Sequence, residues 1–167
     1  IKTVQDHGVV EIMRGCPNGC RFCHAGIFYR PYREKSFTRI DEEVAALIST
    51  CGYREITITS LSTGDYSGIV STINALHQRY GSAGVSFSLP SLRVNSFTLP
   101  LLSTVSAVRK SGLTFAVETP VSAWQKGLNK TVELEKTVDI LLEAKQQGWK
   151  KAKFYFMIGL PVSNGED

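Results

Sequence analysis

Short apolar runs alternate with amphipathic stretches along the whole chain. Val9 to Met13 reads as a first strand. Asp41 to Cys51 predicts a helix, with Val44, Leu47 and Ile48 at i, i+3 and i+4 behind an acidic first turn. Arg54 to Ser60 reads as a second strand. Ser67 to Tyr80 predicts a helix through Ile69, Val70, Ile73, Leu76 and Tyr80, stopped by Gly81, and Val85 to Leu89 a third strand. Phe97 to Ser111 predicts a helix around Leu101, Leu102, Val105 and Val108, and Thr114 to Glu118 a fourth strand. Thr131 to Gln147, closed by Gly148, is the clearest helical pattern, and Lys153 to Ile158 is a fifth strand. Strands alternating with helices are the mark of βα units and a parallel sheet, so the expected class is α/β with crossover helices. In such sheets ligands collect at the carboxyl ends of the strands, which gives weight to the loops there.

Composition adds bounds. At 167 residues, 43% hydrophobic and 20% charged, the chain is an ordinary globular sequence of about one domain. A net charge of +4 spread along the chain does not mark a dedicated nucleic-acid or membrane surface. No apolar run approaches the ~20 residues needed to span a bilayer. The first residue is Ile1, and Ser163-Asn164-Gly165-Glu166-Asp167 announces a helix where the sequence stops. Residues 1–167 therefore read as one domain segment of a longer chain.

The chemistry concentrates in one loop. Arg14-Gly15-Cys16-Pro17-Asn18-Gly19-Cys20-Arg21-Phe22-Cys23-His24-Ala25-Gly26 follows the first strand and spaces three thiols as Cys-x3-Cys-x2-Cys. Three thiolates hold three corners of an iron–sulfur cubane and leave the fourth iron open to a small molecule. The alternative is a zinc site with His24 or Cys51 as fourth ligand, although zinc sites normally use paired ligand arrangements. Disulfides fit poorly in one tight loop of a chain with ample apolar residues. Cys51, in register with Leu47 and Ile48, reads as a small buried apolar residue.

This loop resembles the signature of the radical S-adenosylmethionine (SAM) enzymes, down to the aromatic Phe22 before the third cysteine. With Tyr29-Arg30-Pro31-Tyr32-Arg33-Glu34-Lys35-Ser36, it is most similar to a group related to methylthiotransferases and cobalamin-binding radical SAM proteins. The resemblance implies a partial (β/α)6 TIM-like barrel, here cut to about five parallel strands, with the sixth βα unit and flanking domains absent. It implies a 4Fe-4S cluster on Cys16, Cys20 and Cys23 whose open iron chelates SAM. Reductive cleavage of SAM would yield a 5′-deoxyadenosyl radical that abstracts hydrogen from an unidentified substrate. It further implies a flavodoxin- or ferredoxin-like reductant, a reducing cytoplasm, and a cobalamin-binding flanking domain as partner. The fifth strand would be an exposed edge.

The same resemblance carries residue by residue to the strand ends. Ser62, Thr63, Gly64 and Asp65 occupy the glycine-rich segment that contacts the SAM amino group, where short side chains allow close backbone approach. Without that context the segment is a turn into a helix, with Asp65 or Ser67 as N-cap. Ser88 and Arg93 match a ligand-binding segment after the third strand, Arg93 either pairing the methionyl carboxylate in bidentate fashion or standing as a solvated arginine near a helix start, and Ser88 either bonding the same ligand or filling the strand. Glu118 matches a polar position facing ribose or methionine, although Thr119-Pro120 departs from the family's usual Glu-Ala-Gly. Met157, Ile158 and Gly159 match the segment that packs against adenine. No residue stands out as catalytic. Aromatics interleaved with basic residues over Phe28 to Ser36 fit either RNA stacking and phosphate contact or a loop that packs its rings under the cluster, the second being preferred.

Overall fold

β1 (Gly8–Arg14) is the centre of the first sheet and buries Val10, Ile12 and Met13. The computed structural model describes residues 6–90, 92–96, 101–102 and 113–160. β3 (Glu55–Ser60) lies parallel to β1 with Val10 opposite Ile58, and β4 (Ser86–Ser88) parallel to β3 with Phe87 opposite Ile56. On the other side of β1, the two-residue β2 (Arg33–Glu34) pairs antiparallel through Met13 and Glu34. The order is β2-β1-β3-β4. β5 (Leu113–Glu118) and β6 (Ala152–Phe156) form a separate parallel ladder with Phe115 opposite Phe154.

The five expected strands are present and run parallel within two separate ladders rather than one sheet. Among the described residues β4 is not paired with β5, and the ladders do not close into a barrel. The expected edge at β6 is exposed, with Tyr155 and Phe156 more than half accessible. The strand ends at Phe156, two residues before the expected Ile158.

The helices supply the covering layer. α1 (Ala25–Phe28) is one short turn after the cysteines. α2 (Phe37–Cys51) starts four residues before the expected Asp41, because the Ser36 hydroxyl caps the Arg39 amide. Its stop is Gly52, at φ +73°, the left-handed cap that glycine adopts without penalty. α3 (Ile69–Tyr80) buries Ile69, Ile73 and Leu76. It begins after Gly68 and has no side-chain cap, so neither Asp65 nor Ser67 serves as its N-cap. α4 (Ser122–Gly127) was not expected, and α5 (Leu134–Gln146) begins three residues after the expected Thr131. Of the helix expected over 97–111, Leu101 and Leu102 are helical and fully buried, and the rest lies outside the described residues. The helix expected after Ser163 also lies outside them.

Ile40, Val44, Ile73 and Leu76 meet Ile12, Ile56, Ile58 and Phe87 in the core. Cys51 is exposed rather than buried, a correction with a simple cause. It is the last residue of α2, where packing ends, and it lines an open hollow with Val9 and Thr50.

Candidate functional site

The carboxyl end of β1 runs through Gly15 straight into Cys16. Gly15 is buried at φ +87°, and a Cβ there would lie 2.6 Å from the Tyr29 carbonyl oxygen, so only glycine allows this approach. The loop then folds tightly. The Cys23 amide donates to the Cys20 carbonyl at 3.0 Å, and the His24 carbonyl accepts from Ile27 and Phe28 to start α1. Cys16, Cys20 and Cys23 are unpaired and half-buried along this turn.

A polar network joins the loop to the segment after β3. Asn18 Nδ2 donates to Asp65 Oδ2 at 2.5 Å and lies 3.3 Å from Ser62 Oγ and 3.6 Å from Cys16 Sγ. Ser62 Oγ donates to the same Asp65 oxygen at 2.6 Å. Ser62 and Thr63 are buried, and Thr63 Oγ1 accepts from the Ser60 amide, which closes the Thr63–Asp65 turn. Gly64 lies against Ser96, where a Cβ would come within 3.0 Å of the hydroxyl. Arg93 Nη1 donates to Cys20 Sγ at 3.5 Å. Buried Ser96 Oγ and Asn95 Oδ1 have no hydrogen-bond partner, so this corner retains polar capacity.

The other side of the loop is held by the segment after β5. The Arg21 amide donates to the Leu128 carbonyl at 2.9 Å, its guanidinium to the Gly127 carbonyl at 2.7 Å, and Asn129 Nδ2 to the Gly19 carbonyl at 2.9 Å. Lys130 Nζ pairs with Glu118 Oε1 at 2.7 Å and lies 5.9 Å from the Phe22 ring centroid. Glu118 itself sits at φ +69°, an uncommon conformation for a residue with a side chain, and its carbonyl accepts from the Met157 amide at 2.7 Å.

The structure thus brings Cys16, Ser62 and Asp65 together, Arg93 to Cys20, and Phe22 near the Glu118–Lys130 pair. Ser88 is turned to the neighbouring strand, its hydroxyl 2.9 Å from Thr57 Oγ1. Met157 is partly exposed, Ile158 almost fully so, and Gly159 takes a positive φ beyond the end of β6. Asn18, Lys130, Arg21 and Asn129 were not singled out in the sequence. Asn18 and Arg21 stood inside the cysteine motif, while Asn129 and Lys130 carried no periodic signal.

Two expectations need correction. The rings of the Phe28 to Ser36 segment do not pack under the loop: Phe28, Tyr29 and Tyr32 are 68%, 45% and 50% exposed. Pairing of Arg33–Glu34 with β1 fixes the backbone at the sheet edge and turns these side chains outward. Zinc finds no support either. Among the described residues no three His, Cys, Asp or Glu side chains are placed to hold one metal ion. Cys51, beside Val9 at the start of β1, lies at the opposite end of that strand from the cysteine loop. A cubane makes a different demand, because each thiolate sits on its own iron and the sulfurs stand further apart. Three thiols within one loop are the donor chemistry that an iron–sulfur cluster with one open iron takes. No helix among the described residues is long and apolar enough to cross a membrane.

The sequence model of the radical SAM superfamily matches residues 10–167. An uncharacterised protein of Methanocaldococcus jannaschii, MJ0966, is 29% identical over 159 residues, covering 95% of this chain and 34% of that protein. Among solved structures, the radical SAM methyltransferase TsrM from Kitasatospora setae, with cobalamin and a [4Fe-4S] cluster bound, superposes with a TM-score of 0.72 at 11% identity. That match covers 89% of this chain and 30% of TsrM. Methylornithine synthase (PylB) superposes at 0.56 and 13% identity, covering 89% of this chain and 43% of that one. The chain thus spans about a third of MJ0966 and of TsrM, and the likeness to the solved structures is one of fold, the α/β partial barrel.

Proposed function

Because the chain belongs to the radical SAM superfamily, we propose that it is the core segment of a radical SAM enzyme, with Cys16, Cys20 and Cys23 holding a 4Fe-4S cluster and the strand-end loops holding SAM. The carrying observation is that one loop presents three free thiols and that its own Asn18 reaches Asp65 after the next parallel strand. Bound together, cluster and SAM supply a 5′-deoxyadenosyl radical that removes hydrogen from a substrate.

The residues divide that work. Asp65, with Gly64 beside it, offers a carboxylate to the SAM ammonium, and Arg93 a guanidinium within reach of both Cys20 sulfur and a ligand carboxylate. Glu118, oriented by Lys130, faces the ribose or methionine portion, and Ser88 stands at the end of β4. Met157, Ile158 and Gly159 supply the adenine side beyond β6. Phe22, just before the third cysteine, sets its ring near the Lys130 ammonium. Hydrogen bonds to Cys16 and Cys20 sulfur lower the electron density there and tune the cluster.

The partners follow from the chemistry. A flavodoxin- or ferredoxin-like carrier supplies the electron in a reducing cytoplasm, and a flanking domain, of cobalamin-binding type, completes the enzyme. Exposed Phe28, Tyr29 and Tyr32 beside Arg30 and Arg33 give that domain or an RNA substrate a surface.

Anaerobic reconstitution with iron and sulfide, followed by electron paramagnetic resonance after dithionite reduction, tests the proposal. A reduced 4Fe-4S signal that shifts on adding SAM is expected, together with its loss in Cys16→Ala, Cys20→Ala and Cys23→Ala but not in Cys51→Ala. Stoichiometric zinc without such a signal overturns it.

A further inference from the structure

One amide stands between the thiol loop and the carboxylate of the next strand end. Asn18 Nδ2 carries two hydrogens and faces three acceptors: Asp65 Oδ2 at 2.5 Å, Ser62 Oγ at 3.3 Å and Cys16 Sγ at 3.6 Å. The charged carboxylate takes the stronger share. The sulfur competes with Ser62 for the remainder. Gly26 packs against the Asn18 backbone carbonyl so closely that a Cβ would sit 2.8 Å from its oxygen, which holds the backbone from which this side chain projects.

We propose that Asn18 is a positioning residue that couples Cys16 sulfur to Asp65, so that a cationic group bound at Asp65 raises the reduction potential of a cluster held by Cys16. This rests on the reading of the site as a cluster and SAM site. A cation at Asp65 satisfies carboxylate lone pairs and weakens their hold on the amide. The amide hydrogen then goes more fully to Cys16 sulfur, and hydrogen bonds to cluster sulfurs are among the factors that set the potential, here by stabilising the more negative, reduced form. The coupling is reciprocal. Whatever factor separates ligand affinity for the reduced and oxidised cluster reappears as a shift in potential. The electron comes from an external one-electron donor, no covalent bond changes, and the cluster therefore accepts it more readily when the ammonium is in place.

The test is a dithionite redox titration of the anaerobically reconstituted protein, read by electron paramagnetic resonance with and without SAM, for wild type and Asn18→Leu. In wild type SAM is expected to bind the reduced cluster about tenfold more tightly than the oxidised one, a potential rise of about 59 mV for one electron. In Asn18→Leu the ratio falls towards one, and Asn18→Gln, which keeps the amide, recovers part of it. If Asn18→Leu does not take up iron, Asn18→Ser is titrated in its place against the same criterion. A SAM-dependent rise that is absent in wild type, or that persists undiminished in the variant, overturns the coupling while leaving the cluster reading intact. Absence of any 4Fe-4S signal in wild type overturns that reading and the coupling with it.

Discussion

Glu118 and Lys130 are joined by a 2.7 Å ion pair whose side chains are only 13% and 10% exposed. The pair closes the carboxyl end of β5 beside Phe22, and Glu118 carries a positive φ there. Removing one partner strands a buried charge. Lys130→Met is expected to cost about 3–5 kcal/mol, whereas the double variant Glu118→Gln with Lys130→Met should cost clearly less than the sum of the single changes. Urea denaturation of the four proteins in the cycle measures this, and additive costs would refute it.

Asn129 combines two tasks, a left-handed backbone at φ +53° and a side-chain bond to the Gly19 carbonyl. Asparagine tolerates that backbone better than alanine does. Asn129→Ala should lose both, about 2 kcal/mol in all, while Asn129→Gly relieves the backbone and loses only the bond, about 1 kcal/mol. Both variants should release iron to a chelator faster than wild type, since the bond tethers the cysteine loop. Equal stability of the two variants would show that the backbone conformation is not what Asn129 contributes.

The difference between what was legible in the chain and what was not follows the range of the interactions. The strands β1, β3, β4, β5 and β6 announce themselves because each is a local apolar run, and the cysteines because all three lie in one loop. Asn18 could not be read this way, because its partners Ser62 and Asp65 lie 44 and 47 residues away. The interruption between β4 and β5 is equally silent, since pairing between strands is decided by packing and not by either strand's own pattern. The start of α2 was misplaced because it depends on a single hydroxyl, that of Ser36, and Phe37 in its first turn is partly exposed. Cys51 kept helical register with Leu47 and Ile48, but periodicity cannot say where the underlying sheet ends.

Tyr80 joins α3 to α2 through a 2.8 Å hydrogen bond from its hydroxyl to Asp41 Oδ1. Burial first, and this bond second, raise its pKa above the ordinary tyrosine value. The neutral phenol is thus favoured in the folded state. Its contribution is complete below the unfolded pKa of about 10 and is lost as pH rises through the folded value. Tyr80→Phe should cost about 1–2 kcal/mol at pH 7, and the gap between wild type and variant should narrow as pH rises above 10. Denaturation midpoints between pH 8 and pH 11 check this, and a gap that widens over that range would contradict it.

Gly15 and Gly52 form a natural pair for separating backbone strain from steric exclusion at the entrance to the site. Both have positive φ, +87° and +73°, and alanine in that region costs about 1–2 kcal/mol whatever surrounds it. At Gly52 a Cβ meets nothing within 4 Å, so Gly52→Ala should show that cost alone and leave cluster loading unchanged. At Gly15 the same atom would lie 2.6 Å from the Tyr29 carbonyl oxygen and 2.8 Å from Tyr32 Cα, both backbone atoms that cannot rotate away. The segment carrying Tyr29 and Tyr32 must then move relative to Cys16. Gly15→Ala should therefore be destabilised more than Gly52→Ala in urea denaturation and should bind less iron per chain after reconstitution. Equal losses and equal iron content in the two variants would mean that the close approach at Gly15 does not position the cysteine loop.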